Sequence, residues 1–466
     1  MKPLIASTLS GILMMFLALW VRDKSRVSTL ALGLLVIVLG IDIWSLREVL
    51  SQNSALHFFS GMLIYDSFSL WFFTLMTGAT LLYVLLCRKH IERVGQHVAE
   101  YYALIFFILS AINLLAGYGN LLILFLGIEI ISIPQYVLAG SDKRNLKSSE
   151  ASLKYFLMGA FSTGFLLMGI ALLYGATGTF DIASLNLGSN GGDINILALT
   201  GIILLIVALG FKVSAAPMHF WTPDVYDGAP TPFTALMATI IKVALFVAFI
   251  RLFMNGFGLV NEHWKIVIAV VTALTLLIGN ITAVFQQSVK RMLAYSSISQ
   301  AGFMLFAVLA NNAFSLKSII IYSVAYTLAT IGMFTILMKL KDYTYDGFNG
   351  LAKKDPMLAL FGAIFIFSLA GIPLTAGFFA KWYVLTSVLE HDNNLLWLVL
   401  FALVMAVVSV FYYFKVIIAM YFKPGDTAMA HPVSAADRFY IGLTAALVIL
   451  IGAMPNLLLY LIAPAQ

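Results

Sequence analysis

The sequence predicts an all-α polytopic membrane protein that crosses the bilayer fourteen times. Of its 466 residues, 62% are hydrophobic and only 10% are charged, whereas a soluble globular domain carries about 25% charged residues. Its apolar runs are long enough to cross a bilayer, which takes about 20 residues of helix. The runs lie at residues 4–21, 28–46, 66–86, 100–118, 120–139, 150–174, 194–220, 233–253, 264–285, 290–310, 314–338, 356–388, 395–421 and 437–462.

Basic residues orient these predicted spans. Most of the 27 Lys and Arg residues fall on one face when alternate loops are assigned to opposite sides, and basic loops stay cytoplasmic. We therefore predict that the loop at 143–147 is cytoplasmic and that the loop at 188–193 and both termini are periplasmic. The first run lacks a small-residue cleavage site, so we interpret it as a membrane helix, not a signal peptide.

Composition and motifs exclude several classes of function. One cysteine, Cys87, cannot form an intrachain disulfide, a CxxC redox pair or an iron–sulfur cluster on this chain alone. The glycine-rich loop at 188–193 matches neither a GxGxxG nor a GK[ST] pattern, so no nucleotide fingerprint is present. The net charge of +6 does not indicate nucleic-acid binding, because nearly all Lys and Arg residues fall in short loops between apolar runs, where they set membrane topology. We predict no metal or cofactor on this chain, no nucleic-acid partner, and contact with the lipid bilayer.

Two apolar runs contain signals that break a helix. Pro217 interrupts the seventh run, and the string GIPLTAG, with Pro373, interrupts the twelfth. The twelfth run would be about 50 Å long as one helix, against a hydrocarbon core of about 30 Å. Both runs are therefore predicted to be discontinuous helices.

The positions of these breaks predict an internal repeat. If spans 4–8 and 9–13 are two five-helix units, each broken helix is the fourth of its unit, and an odd number of helices inverts the second unit. Paired broken helices in inverted halves are typical of transporter ion paths. The chain is then one membrane domain over 1–466, divided into flanking helices (1–99), two units (100–254 and 255–422) and a terminal helix (423–466).

Ionisable side chains inside the spans are the first candidate functional residues. Glu129, in LFLGIEIISIP, is interpreted as the only acid at the middle of a span, and Lys242 lies at the centre of the eighth span. A charge at this depth costs roughly 3 kcal/mol, which favours a functional role. The alternative for both is a structural side chain that is neutral or paired and holds helices together.

Three further candidates lie at the predicted breaks or after them. Lys212 precedes Pro217, His219 follows it, and Lys381 follows the GIPLTAG string. Removing a lysine amine from water disfavours its charged form, so a buried lysine can bind and release a proton near neutral pH. His219 is a candidate relay because histidine changes charge in the same range, although a histidine that only forms a hydrogen bond at a helix end fits equally well.

Lys154 is ambiguous from its spacing. It follows Glu150 by four residues, which is the separation of an ordinary ion pair on a helix surface. Its position early in the sixth span also allows a role inside the membrane.

Several long strings resemble one family. LFLGIEIISIPQYVLAG, EASLKYFLMGAFSTGFLL, GFKVSAAPMHFWTPDVYDGAPTPFTALMATIIKVALF, KRMLAYSSISQAGF and LAGIPLTAGFFAKWYVL resemble the antiporter-like subunits of the proton-pumping NADH:quinone oxidoreductase, respiratory complex I. The form TPDVY-x-GAPTP resembles the subunit N type more than the related L and M types. The resemblance implies two inverted five-helix bundles without a redox centre, in the inner (plasma) membrane of a bacterium. NADH, FMN, iron–sulfur clusters and quinone would bind other subunits, and the partners would be neighbouring antiporter-like and small membrane subunits.

The same resemblance implies a charged row along the membrane middle. Its members are Glu129 paired with Lys154, then Lys212, Lys242 and Lys381, and Gln300 stands where relatives often have histidine. The row would translocate protons, driven by quinone reduction elsewhere. The alternatives are a stand-alone cation/proton antiporter subunit, a subunit of a ferredoxin- or hydrogenase-linked relative, and a scaffold whose lysines are only structural.

Overall fold

The computed structural model is almost entirely helical and describes residues 1–52, 54–185, 187, 194–390 and 393–456. The predicted loop at 188–193 lies outside the described residues. The helices are α1 (Lys2–Trp20), α2 (Lys24–Gln52), α3 (Ser67–Val94), α4 (Val98–Gly117), α5 (Leu121–Ala139), α6 (Leu146–Thr177), α7 (Ile196–Lys212), α8 (Trp221–Gly228), α9 (Thr231–Leu236), α10 (Lys242–Asn255), α11 (Asn261–Val284), α12 (Val289–Ala310), α13 (Ala313–Leu337), α14 (Leu351–Lys354), α15 (Pro356–Ala370), α16 (Ala376–Leu389), α17 (Leu396–Tyr421) and α18 (Ala435–Ala453).

Within the described residues, 12 helical stretches are long and apolar enough to cross a membrane. Three shorter apolar helices, α7, α15 and α16, accompany them. The protein is therefore a polytopic helical membrane protein, as the composition predicted.

A short β-hairpin corrects the prediction of a purely α-helical chain. Strands β1 (Leu56–Phe58) and β2 (Leu63–Tyr65) pair antiparallel between α2 and α3. The turn between them has positive φ at Phe59 (53°), Ser60 (55°) and Gly61 (89°). Successive residues in this left-handed region cannot continue a right-handed helix, so the chain reverses and its flanking residues pair as strands.

The most buried helices form the centre of the bundle. The most apolar window of Thr231–Asn255, which includes α9 and α10, is 100% buried, and those of α12 and α13 are each 94% buried. By contrast, the corresponding window of α1 is 28% buried. A polar side chain on the central helices is therefore shielded from lipid by protein, the setting in which ionisable residues are tolerated inside membranes.

Both predicted helix breaks are present. Helix α7 ends at Lys212, and α8 begins only at Trp221, after a segment that contains Pro217. Helix α15 ends at Ala370, and Gly371 then takes a φ of 85°, the left-handed conformation that commonly follows a helix. The backbone thus leaves the helical path where the prolines and glycines of the sequence indicated.

Loops that the sequence assigns to one face contact each other. Leu340 pairs with Met429 in an isolated bridge, and both belong to loops assigned to the basic face. Asn120 pairs with Asp181, and both belong to the opposite face. These contacts agree with the alternation of loops that the sequence predicted.

Candidate functional site

Lys242 lies in the middle of the central helices and is 1% exposed. Its Nζ donates hydrogen bonds to the carbonyl oxygen of Ser297, at 3.0 Å, and to the Ser297 hydroxyl. The Tyr326 hydroxyl donates to the Ser297 hydroxyl oxygen at 3.0 Å. The amine is thus held by neutral groups, which accept its hydrogen bonds without fixing its charge.

A π-helical segment, Met237–Ile241, directly precedes Lys242. It links α9 to α10, and its residues are buried. Such single π turns are rare and occur frequently at functional sites. The wider turn changes the direction in which the following residue points, so it helps to set the orientation of Lys242.

Lys381 lies on α16, just after the second break. Its Nζ donates to the carbonyl oxygens of Ala370 at 2.8 Å and Leu369 at 3.2 Å, in the last turn of α15, where carbonyls lack partners within the helix. The negative end of a helix also favours a cation. Gly371 leaves the space for this side chain, because a Cβ there would lie 2.9 Å from Lys381 Cδ.

Gln300 connects the surroundings of the two lysines. Its Nε2 donates to the carbonyl oxygen of Leu369 at 3.0 Å, the same atom that accepts from Lys381. Nε2 also donates to the Tyr413 hydroxyl at 3.2 Å, and Oε1 accepts a hydrogen bond from Tyr322. Gln300 lies three residues after the Ser297 that holds Lys242, on the same face of α12. Polar groups therefore continue from Lys242 to Lys381.

Lys212 and Glu129 form an ion pair at the first helix break. Lys212 Nζ lies 3.9 Å from Glu129 Oε1 and donates to the Ser132 hydroxyl at 2.8 Å. Thr163 donates to Glu129 Oε1 at 2.8 Å. The lysine is 7% exposed and ends α7 at the first break, so its charge lies at the negative end of that helix.

The predicted pairing of Glu129 with Lys154 is wrong. Lys154 Nζ instead lies 2.7 Å from Glu150 and 3.0 Å from Asp224. Thr163, which contacts Glu129, is nine residues beyond Lys154 on α6, a rise of about 13 Å along the helix. Lys154 is therefore too far along the helix axis to reach Glu129, and it belongs to a half-exposed ion-pair group.

His219 lies in the first break and is buried. It is 5% exposed, and its Nδ1 has no hydrogen-bond partner among the described residues. Its ring packs against Phe220 with the ring centres 4.7 Å apart. The structure thus places His219 next to the interruption without joining it to the row of lysines by a direct hydrogen bond.

The sequence interpretation missed the neutral partners of the row and one acid. Ser132 follows Glu129 by three residues, the separation at which helical side chains are neighbours, so this partner could have been found from spacing. Tyr326 and Tyr413 lie on other helices, and no local spacing connects them to the lysines. Glu129 is also not the only acid inside a long apolar helix, because Asp42 on α2 lies well within that helix and is 0% exposed.

The part of the chain that the structure describes contains no cluster of three or more His, Cys, Asp or Glu side chains arranged to hold a metal ion. The groups that the row offers are amines, hydroxyls, one amide and one carboxylate. These groups can bind, orient and transfer protons.

Known proteins resemble this chain in sequence and in fold. The family described as NADH:quinone oxidoreductase/Mrp antiporter, transmembrane, matches residues 119–409, a range that contains every member of the row. The NADH-quinone oxidoreductase subunit N of Cytophaga hutchinsonii is 39% identical over 437 residues, which cover 92% of this chain and 94% of that protein.

Solved structures agree with this assignment. A chain of respiratory complex I from Thermus thermophilus with bound aureothin has 31% identity and a TM-score of 0.83, with 98% of each chain covered. A chain of the membrane-bound sulfane sulfur reductase, an archaeal respiratory membrane complex, has 25% identity and a TM-score of 0.84, covering 100% of this chain and 95% of that one. This chain therefore belongs to the NADH:quinone oxidoreductase/Mrp antiporter family and, within it, to the subunit N type of respiratory complex I.

Proposed function

We propose that this chain translocates protons as a membrane-arm subunit of NADH:quinone oxidoreductase, driven by quinone reduction in other subunits. The proposed proton path consists of Glu129, Lys212, Lys242, Gln300 and Lys381, and it leaves out Lys154, which pairs elsewhere. One observation carries this proposal: Lys242 and Lys381 are buried and hydrogen-bonded to neutral oxygens, and Gln300 shares the carbonyl acceptor of Lys381. An amine in such surroundings can lose and regain its proton without leaving a buried carboxylate unpaired.

The path contains one residue that cannot hold a charge. A glutamine amide does not act as a cationic proton carrier, so a proton passing Gln300 needs hydroxyl groups or water beside it. The hydroxyls of Tyr322 and Tyr413, both hydrogen-bonded to Gln300, can donate and accept in turn. We assign Gln300 the role of aligning these hydroxyls between Lys242 and Lys381, and Glu129 the role of stabilising the charged form of Lys212.

The energy required is compatible with small coupled steps. Moving one proton against 100 mV requires about 2.3 kcal/mol. Coupling between sites in proteins typically supplies about 1–3 kcal/mol. A few linked charge states along the row would therefore be sufficient, and no single large movement is required.

In the proposed membrane topology, the two helices on either side of each break form one membrane span. Helices α7 and α8 would together make the seventh span, and α15 and α16 the twelfth, which gives fourteen spans. Each broken helix then takes the fourth place in its unit, over 100–254 and 255–422, and the two units are inverted. The breaks and the grouping of loops on two faces support this arrangement, and the bias of basic residues toward one face supports periplasmic termini.

Redox chemistry is proposed to lie outside this chain. NADH, FMN, iron–sulfur clusters and quinone would bind other subunits, and neighbouring antiporter-like and small membrane subunits would flank this one. The location would be the inner membrane of a bacterium. A stand-alone cation/proton antiporter subunit remains the second candidate, because the matching family includes Mrp antiporters. The similarity to subunit N over 92% of the chain favours the oxidoreductase.

Substitution of Gln300 tests the proposed path. Gln300→Leu removes every hydrogen bond of the amide and with it the alignment of the two tyrosine hydroxyls, so we expect the number of protons translocated per electron to fall. Gln300→His replaces the amide with a polar group that can itself carry a proton. This variant should translocate protons at least as well as the natural protein. The ratio is measured in inverted membrane vesicles from NADH oxidation and a pH-sensitive dye. Equal ratios for Gln300→Leu and the natural protein would remove Gln300 from the path.

Cysteine labelling tests the orientation. In a Cys87→Ala background, Leu259→Cys lies between α10 and α11 and should react with an impermeant maleimide added to intact cells. Arg144→Cys lies between α5 and α6 and should react only after the membrane is opened. Both positions are exposed in the structure, so accessibility within the protein does not limit either reaction. The opposite pattern would invert the topology.

A further inference from the structure

Asp42 is a buried acid outside the row of lysines. It lies on α2, is 0% exposed, and is ten residues from the end of that helix at Gln52, about 15 Å along its axis. Neither carboxyl oxygen has a hydrogen-bond partner among the described residues. Helix α2 belongs to the flanking helices of 1–99, which no part of the proposed proton path uses.

Other buried polar groups surround this carboxyl. Ser45 lies one turn further along α2 on the same face, and its hydroxyl is also without a partner. The Thr77 hydroxyl, on α3, interacts with the carboxyl without the geometry of a full hydrogen bond. From the hairpin, Tyr65 is the titratable side chain that interacts electrostatically with Asp42, and its own hydroxyl donates to Asn113 of α4.

The nearest charged residues on α2 cannot neutralise Asp42. Arg47 is exposed and follows by five residues, which directs it about 140° away around the helix. Glu48, next along the chain, pairs with Lys2 at 2.7 Å. An isolated carboxylate without donors or a counter-charge is prohibitively costly in an apolar interior. The carboxyl must therefore be neutral, either because it is protonated or because another small cation binds it.

We propose that Asp42, with Ser45 and Thr77, forms a site for a small monovalent cation, a proton or a sodium ion, separate from the lysine row. One carboxylate and two hydroxyls supply a single negative charge and several oxygen atoms. This single charge balances a monovalent cation, whereas a divalent ion such as calcium or magnesium would leave one uncompensated positive charge buried, which is costly. The site does not depend on the function proposed for the lysines.

Infrared difference spectroscopy of the purified complex tests this site. Spectra are recorded at acidic and alkaline pH, with sodium chloride or choline chloride, for the natural protein and Asp42→Asn. We expect a protonated-carboxyl band at low sodium that disappears in Asp42→Asn and shifts in heavy water. Glu48→Gln, a change of an acid on the same helix, is the matched control and should leave the band unchanged.

The two salts distinguish the occupants. Loss of the band on adding sodium, but not choline, identifies a sodium ion that displaces the proton. A band that depends on pH and not on sodium identifies the proton as the occupant. Thr77→Val, which removes one hydroxyl and keeps the side-chain shape, should shift the band in either case.

Two results would overturn the proposal. One is the absence of any carboxyl band that depends on Asp42, at every pH and in both salts, with no effect of sodium. The other is a band that never exchanges with heavy water and responds to neither pH nor sodium. Since Asp42→Asn preserves size and is uncharged, we expect it to fold, and Thr77→Val provides an independent readout.

Discussion

Lys242→Ala is expected to abolish proton translocation by this subunit, with a loss on the order of 10²-fold or more in the transfer rate, as for removal of a positioned proton-transfer group. Its hydrogen-bond partner, Ser297, is neutral, so the amine is the group at this position that can carry a proton as a positive charge. Measurement of protons translocated per electron in inverted vesicles gives the result. Assembly, followed by native gel electrophoresis, should be largely retained, because the hydrogen-bond partner of the amine, Ser297, is neutral and is not left charged.

Two variants separate loss of the amine from loss of packing. Lys242→Met keeps most of the side-chain volume and should stop translocation as fully as alanine does, with less destabilisation than a cavity produces. Lys415→Met is the matched control, because Lys415 also donates to a backbone carbonyl, that of Val284 at 2.8 Å, but lies outside the row. Normal translocation by Lys242→Met would refute the carrier role.

Glu129 and Lys212 are expected to behave as one unit in a double-mutant cycle. Lys212 is buried and the Glu129 side chain is 24% exposed, so breaking the pair should cost less than the ~3–5 kcal/mol typical of a fully buried one. The remaining group can lower this cost further by changing its protonation. Glu129→Gln should therefore leave Lys212 neutral and stop translocation with modest loss of assembly. Lys212→Met should be equally damaging, and the double variant should be no worse than either single one. The readout is again the proton-to-electron ratio.

Lys154→Met provides the control for this cycle. The structure pairs Lys154 with Glu150 and Asp224 at a half-exposed position, where solvent screening leaves an ion pair little effect on stability. Its effect on translocation should be small and should add to that of Glu129→Gln. Strict additivity between Glu129 and Lys212, combined with strong coupling between Glu129 and Lys154, would restore the pairing that the family resemblance suggested.

The sequence was sufficient to predict features that depend only on the residues of one helix. The breaks at Pro217 and in the GIPLTAG string are local effects of proline and glycine on the backbone, so they could be predicted. The partner of Glu129 could not, because it depends on which helices meet and at what height. Lys154 and Lys212 are both basic, so residue type does not distinguish them. Only the distance along α6 between Lys154 and Thr163 excludes Lys154 as the partner of Glu129.

Other features had no signal that local rules could detect. The π segment before Lys242 has ordinary apolar side chains, and nothing in MATII distinguishes it from an α-helix. Asp42 lies four residues before the end of the predicted second run, whereas α2 continues to Gln52. Because the predicted run ended too early, Asp42 was expected near the membrane surface, whereas it is deeply buried.

The main-chain acceptors of the two lysines have a consequence for how this protein can change during evolution. Lys242 and Lys381 each donate to backbone carbonyls, and those oxygens are present whatever side chain occupies Ser297, Leu369 or Ala370. Side-chain substitutions at these positions can accumulate without deleting the acceptors. Only a change in the course of the backbone, at a residue such as Gly371, removes them, so lineages can vary these three side chains while both lysines keep their backbone acceptors.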